Sequence, residues 1–164
     1  MKKVITKIAA LLLTTLLGVT AQALDLGQPA PLFSLPGVQA AVDLSSFKGQ
    51  TVYLDFWASW CGPCKQSFPW MNEMQTKYSS KGLRVVAVNV DQRHADATLF
   101  LKDNPTNFTV AFDAIGQTPK NYAIRGMPTS VLIGPDGKVI SIHNGFKAEH
   151  RAELETQIKQ ALHL

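Results

Sequence analysis

Seven residues, Thr51-Val52-Tyr53-Leu54-Asp55-Phe56-Trp57, lead across a short loop into Cys61-Gly62-Pro63-Cys64, and a second apolar run follows at residues 83–90. No other feature constrains the fold as much as this order. The first run is rich in β-branched and aromatic side chains and reads as a buried strand. Asp55 alone breaks its apolar character. The second run is nearly continuous in apolar residues, as a strand covered on both faces requires. Between them Phe68, Met71, Met74 and Tyr78 recur at spacings of three, three and four, one apolar face of a helix that starts at the cysteines and runs to about residue 80. Lys81 and Gly82 give that helix a cation in its last turn and a stop. Pro69 lies inside it and, lacking an N–H, is expected to kink it. Strand, helix and strand make a right-handed βαβ unit.

Downstream, residues 95–102 read as a helix, 108–112 as a strand and 118–124 as a short helix. Residues 129–133 and 138–143 read as strands joined by Gly134-Pro135-Asp136-Gly137, which puts Pro and Gly where a hairpin turn needs them. A last helix over 148–162 presents Leu154, Ile158, Ala161 and Leu162 to the core. Residues 26–49 are punctuated by Pro and Gly, with apolar pieces at Leu32-Phe33 and 42–44. They are expected to form an N-terminal extension, a hairpin packed on the main domain.

The first residues change the charge balance. Lys2, Lys3 and Lys7 flank and precede an apolar stretch over 8–19, and Ala21-Gln22-Ala23 has the small-x-small pattern that signal peptidase cuts after. Residues 1–23 thus read as a secretory signal peptide and 24–164 as one domain. The alternative is an uncleaved membrane anchor, but a span takes ~20 apolar residues and this run turns polar at Thr20. Loss of the leader's three lysines lowers the formal charge from +4 to +1. No cationic run then remains to favour nucleic acid or an anionic membrane.

Cys61 and Cys64 are the only cysteines. Structural disulfides of secreted domains usually bridge distant segments and come in several pairs. A bridge across three positions closes a tiny loop and removes little entropy from the unfolded chain, so this pair suits chemistry better than reinforcement. At a helix start, unpaired N–H groups and the helix dipole favour an anion. The first thiol should therefore fall from ~8.5 toward ~7 and act as a thiolate nucleophile. Cys64, one turn further in and shielded, is the expected resolving thiol. Pro63 fits the first turn, where its missing N–H costs nothing.

The segment Asp55-Phe56-Trp57-Ala58-Ser59-Trp60-Cys61-Gly62-Pro63-Cys64-Lys65 resembles the active site of the thioredoxin superfamily. Pro119-Lys120-Asn121-Tyr122-Ala123-Ile124-Arg125-Gly126-Met127-Pro128-Thr129 resembles that family's cis-proline segment. Gly27-Gln28-Pro29-Ala30-Pro31-Leu32-Phe33 matches the G-x-x-A-P-x-F pattern of its secreted TlpA/ResA-like branch, and residues 91–116 match that branch's inserted helix and strand. The resemblance implies a thioredoxin fold: a central mixed β-sheet flanked by helices, with an N-terminal β extension and an inserted helix–strand.

Carried over to these positions, the resemblance makes Asp55 the buried carboxyl that takes the Cys64 proton. The alternative is an Asp turned to solvent at a strand end. Pro128 would hold a cis peptide bond opposite the Cys61–Cys64 disulfide, with Met127 offering backbone groups to a substrate strand. Trp60 and Gly145 would line the same docking surface, while Trp57 suits core packing as well as a site role. The chain departs from thioredoxin at Ala87, where thioredoxins often keep a lysine near the buried acid. The resemblance further implies a periplasmic reductase, fed by a membrane thiol reductase and acting on disulfide-bearing exported proteins such as apocytochrome c. A monomer is expected, with no cofactor beyond the thiols. Two rivals stand beside it: an oxidase or isomerase with the same dithiol, and a thiolate metal-binding chaperone. His94, His143, His150 and His163 are scattered without ligand spacing and read as surface residues. Met71 and Met74 read as packing.

Overall fold

The structure, a computed structural model, describes residues 24–164. The leader assigned to residues 1–23 lies outside the described residues. The N-terminal extension forms the expected hairpin, Ser34–Leu35 (β1) antiparallel to Val42–Asp43 (β2). Its turn needs Gly37, because a Cβ there would lie 2.4 Å from the Ala40 carbonyl oxygen and 2.7 Å from Val42 Cγ2. The main elements follow in order: Thr51–Trp57 (β3), Gly62–Tyr78 (α1), Leu83–Asn89 (β4), His94–Asp103 (α2), Thr109–Phe112 (β5), Gln117–Asn121 (α3), Thr129–Ile133 (β6), Val139–Asn144 (β7) and Arg151–Ala161 (α4).

Strands β5-β4-β3-β6-β7 lie side by side, with β3, β4 and β5 parallel and β6 and β7 antiparallel to their neighbours. Every residue of β3 is buried, as its central position and continuous apolar character demand. Alternation along β3 divides the core. Tyr53 and Trp57 face Phe68, Met71 and Met74 of α1 and Leu154 and Ile158 of α4. Leu54 and Phe56 face the opposite layer, built from Ala30, Val42, Leu44 and Tyr122. The extension crosses this second face and ties down both sheet edges. Ala30 N–H donates to Gly137 O beside β7, and Phe112 N–H of β5 donates to Pro36 O. Backbone groups that would otherwise face solvent along β5 are thereby partly paired.

Helix α1 ends with a 3-10 turn at Ser79–Lys81 and then Gly82 at φ +99°, the left-handed stop read from Lys81-Gly82. Two expectations shift. The short helix covers Gln117–Asn121 rather than 118–124, because Ala123 turns left-handed at φ 52° and breaks the helical path. The final helix opens with a 3-10 turn, Ala148–His150, before α4 proper.

Candidate active site

Cys61 stands at the carboxyl end of the parallel strand β3, four residues beyond its last paired residue, and caps α1. Its extended backbone (φ −87°, ψ 103°) leaves the helix's first N–H groups free, and the Cys64 N–H donates to Cys61 Sγ at 3.2 Å. Cys61 and Cys64 form a disulfide with Cα atoms 5.3 Å apart. The two sulfurs are not equivalent in access: Cys61 retains 5% exposure and Cys64 none. Beside them the Trp60 indole is 73% exposed.

Asp55 is 2% exposed and points to the α1 face, on the same side of the sheet as Tyr53 and Trp57. The sheet register sets Ala87 directly beside it on β4 and Ser130 on β6. Neither neighbour carries a charge, and Asp55 Oδ2 has no hydrogen-bond partner. Burial therefore pushes the carboxyl well above its ordinary range, with nothing to hold it down. Tyr53, also buried, is pushed up by desolvation and by Asp55, with the Ser130 hydroxyl partly opposing. The solvent-facing alternative for Asp55 is thus not what the fold builds.

The Met127–Pro128 peptide bond is cis. Because Phe56 pairs with Thr129, the residues preceding β6 lie at the same end of the sheet as the Cys61 loop. Gly145 N–H donates to Pro128 O at 2.7 Å, which draws Gly145 to this edge as well. Met127 is half-buried between the two core layers. Trp57 is wholly core: fully enclosed, with Phe68 at 4.9 Å and Phe100 at 4.8 Å between ring centroids.

Two groupings escaped the sequence reading. Asn89 and Asp91, both buried, sit at the carboxyl end of β4. Asp91 Oδ2 accepts from the Ser59 N–H at 2.9 Å and from Asn89 Nδ2 at 2.8 Å, while Asp91 Oδ1 accepts from Ser59 Oγ at 3.1 Å. The signal was present in Asn89-Val90-Asp91, two polar residues closing an apolar run at the strand end where α/β folds place ligands. The other grouping corrects the histidines. His143 of β7 and His150 before α4 are not scattered, since His143 Nε2 and His150 Nδ1 lie 3.0 Å apart as one hydrogen-bonded pair. Linear spacing could not show this, because the fold brings the last strand and the last helix together. Among the described residues no three His, Cys, Asp or Glu side chains converge as a metal site.

A five-stranded mixed sheet, a cysteine-capped helix and a buried carboxyl on the strand that leads to the dithiol define a thiol–disulfide oxidoreductase of thioredoxin fold. The chain belongs to the Redoxin family, whose model matches residues 25–158. It is 37% identical over 124 residues to the thiol-disulfide oxidoreductase ResA of Bacillus subtilis, covering 75% of this chain and 69% of that one. The ResA of Bacillus thuringiensis is 36% identical over 131 residues, 79% of this chain and 76% of the relative. Among solved structures, a Chlorobium tepidum protein assigned as thiol:disulfide interchange protein DsbE is 57% identical. It superposes with a TM-score of 0.85 over 85% of this chain and 99% of its own.

Proposed function

We propose that the chain is an exported, periplasmic disulfide reductase in which residues 1–23 are a cleaved signal peptide and 24–164 the working domain. The observation that carries this reading is the asymmetry of the cysteines: Cys61 caps the helix beside the exposed Trp60, whereas Cys64 is fully enclosed. In the reduced protein the Cys64 N–H that reaches Cys61 Sγ stabilises a thiolate there. That thiolate attacks a substrate disulfide. A Cys61–substrate bond forms, the substrate's S–S bond breaks, and the released thiolate takes a proton from water. Cys64 passes its proton to Asp55 and attacks Cys61 Sγ, releasing the second substrate thiolate and leaving the enzyme disulfide. Two electrons have moved to the substrate. The substrate segment docks across Trp60, Met127, Pro128 and Gly145.

Gly62-Pro63 supports the reducing direction, because it puts no cationic side chain beside the thiolate. A less stabilised reduced form makes a weaker oxidant. The similarity to ResA and DsbE proteins supports the oxidoreductase class. Electrons come from a membrane thiol reductase, and exported disulfide proteins, apocytochrome c among them, are the substrates of a monomeric enzyme. Two experiments test the scheme. Cells exporting the Cys64→Ser protein should accumulate mixed disulfides through Cys61, identifiable by mass spectrometry, with the chain beginning at Leu24. Equilibration of the wild type with glutathione should give a potential near the thioredoxin value of about −270 mV. A value above about −170 mV would instead favour the oxidase.

A further inference from the structure

The loop that carries the nucleophile is held from below by a buried carboxylate. Only Ala58, Ser59, Trp60 and Cys61 separate β3 from α1, and the Cys61 N–H donates back to Ala58 O at 3.1 Å. Ser59 is fastened twice to Asp91, through its N–H at 2.9 Å and its Oγ at 3.1 Å. Asp91 is itself fixed: its N–H donates to Asn89 Oδ1 at 3.1 Å, and Asn89 Nδ2 returns a bond to Oδ2 at 2.8 Å. Val90 N–H donates to Trp57 O at 3.0 Å, and Asp113 N–H donates to Asn89 O at 2.8 Å. The anchor is therefore built into the ends of three neighbouring strands. Asp91 is 5% exposed, and among the described residues no cation pairs with it.

We infer that Asp91 is a positioning residue that also sets the redox poise of the dithiol. Through Ser59 it fixes where Trp60 and Cys61 sit, and its charge opposes ionisation of Cys61, biasing the pair toward the disulfide and making the enzyme more reducing. This rests on the reading of Cys61 as the nucleophile. Two residues of chain span at most about 7 Å, and the Cys61 N–H to Ala58 O turn shortens that, so the carboxylate lies within roughly 10 Å of the Cys61 backbone nitrogen. Over that distance, at an effective dielectric of ~20, charge–charge energies correspond to about a three- to tenfold change in an equilibrium constant once salt is included. The other groups around the thiol are few. Asp55, on the α1 face of β3, has its carboxyl pushed up by burial, and Lys65 follows on the exposed side of the first turn.

The test compares wild type with Asp91→Asn and Ser59→Ala, full chain throughout. Three readings are taken: the pH profile of iodoacetamide alkylation with the labelled cysteine identified, the equilibrium constant with glutathione, and the urea midpoint. Asp91→Asn keeps the shape and removes the charge. It should raise the Cys61 thiol ionisation constant about three- to tenfold and shift the glutathione equilibrium toward the dithiol by a similar factor. Ser59→Ala removes one tether and keeps the charge, so it should lower the urea midpoint and leave the ionisation constant within about twofold. If Asp91→Asn lowers only the urea midpoint, with profile and equilibrium unmoved, Asp91 is merely structural and the inference is overturned. Should that variant not fold, Asp91→Ser, which also removes the charge, is judged by the same profile. Labelling of Cys64 ahead of Cys61 in the wild type would defeat the nucleophile assignment separately.

Discussion

Replacing Asp55 by Asn should stabilise the oxidised protein at neutral pH and slow its chemistry together. The carboxyl is buried between Ala87 and Ser130, with Oδ2 unpartnered, and desolvation raises its pKa well above the ordinary value. The unfolded chain ionises at ~3.9, so above that pH the native state holds a proton that the unfolded state has released. Stability from this group is thus intact in acid and declines as pH rises toward the folded pKa. At pH 7 the loss is at most about 4 kcal/mol, the work of keeping a carboxyl protonated three pH units above its unfolded pKa. Asn escapes that term but buries an amide with one more unpaired donor, costing ~1–3 kcal/mol.

The expected net gain at pH 7 is therefore about 1–3 kcal/mol, turning into a loss of ~1–3 kcal/mol near pH 3. With urea slopes of ~1–3 kcal/mol/M, the midpoint should rise by about 1 M at pH 7 and fall in acid. Urea titrations of both oxidised proteins at the two pH values measure this, because the disulfide removes the thiols from the balance. Single-turnover reduction of a model disulfide should slow by about 10²-fold or more at the Cys64 step, the usual range for a lost general base. A midpoint shift of the same sign at both pH values, with an unchanged rate, would refute the reasoning and make Asp55 an uninvolved polar residue.

His143 has its pKa lowered, first by burial and then by His150, with Glu153 opposing. A base depressed in the fold makes stability rise with pH through the interval below ~6.5, because the unfolded chain binds more protons there. His143→Gln should flatten the urea midpoint between pH 5 and 7.5, whereas an unchanged slope would mean His143 does not carry the pH dependence. Phe68 packs edge-on against Trp57, Phe100 and Phe108 at centroid distances of 4.9, 5.0 and 5.4 Å. Phe68→Ala should cost about 3–5 kcal/mol in urea unfolding, and a loss under about 1 kcal/mol would mean the cluster collapses to fill the space.

What the chain disclosed before its structure was known follows from how local each signal is. Strand β3 has the boundaries its composition predicts, and the apolar face of α1 is buried at Phe68, Met71, Met74 and Tyr78. Both depend on neighbours within one or two turns of chain. Asp55 stood out because one acid interrupts a buried run. Its environment depended on which residues the register places beside it, and only Ala87 was foreseeable, through the resemblance. Helix α3 ends earlier than its pattern predicts because a single left-handed residue, Ala123, has no strong signature of its own. The His143–His150 contact and the Asp91–Ser59 tether join residues from different elements, 7 and 32 positions apart. No periodicity records such pairs, so polar residues at element ends look like ordinary loop residues.

Asp55 and Asp91 show why residue type alone could not assign these roles. Both are aspartates buried near the carboxyl ends of adjacent parallel strands. Asp55 meets apolar surface and keeps an unpaired oxygen, so burial raises its pKa and makes its carboxylate a stronger base, as the proposed proton transfer from Cys64 requires. Asp91 meets three donors, one of them the backbone of the active-site loop, and a carboxylate so surrounded serves as a fixed acceptor. The difference arises from one structural fact. Asp55 lies within β3, where the backbone is already paired to both neighbouring strands, whereas Asp91 lies just past β4, where the free N–H of Ser59 needs a partner. Exchanging the two environments would exchange the functions: a donor placed against Asp55 Oδ2 would lower its basicity, and loss of the Ser59 bonds would loosen Cys61. In the scheme proposed above, an unsatisfied acid on β3 and a satisfied one past β4 let one end of the sheet both accept a proton and hold a thiolate in place.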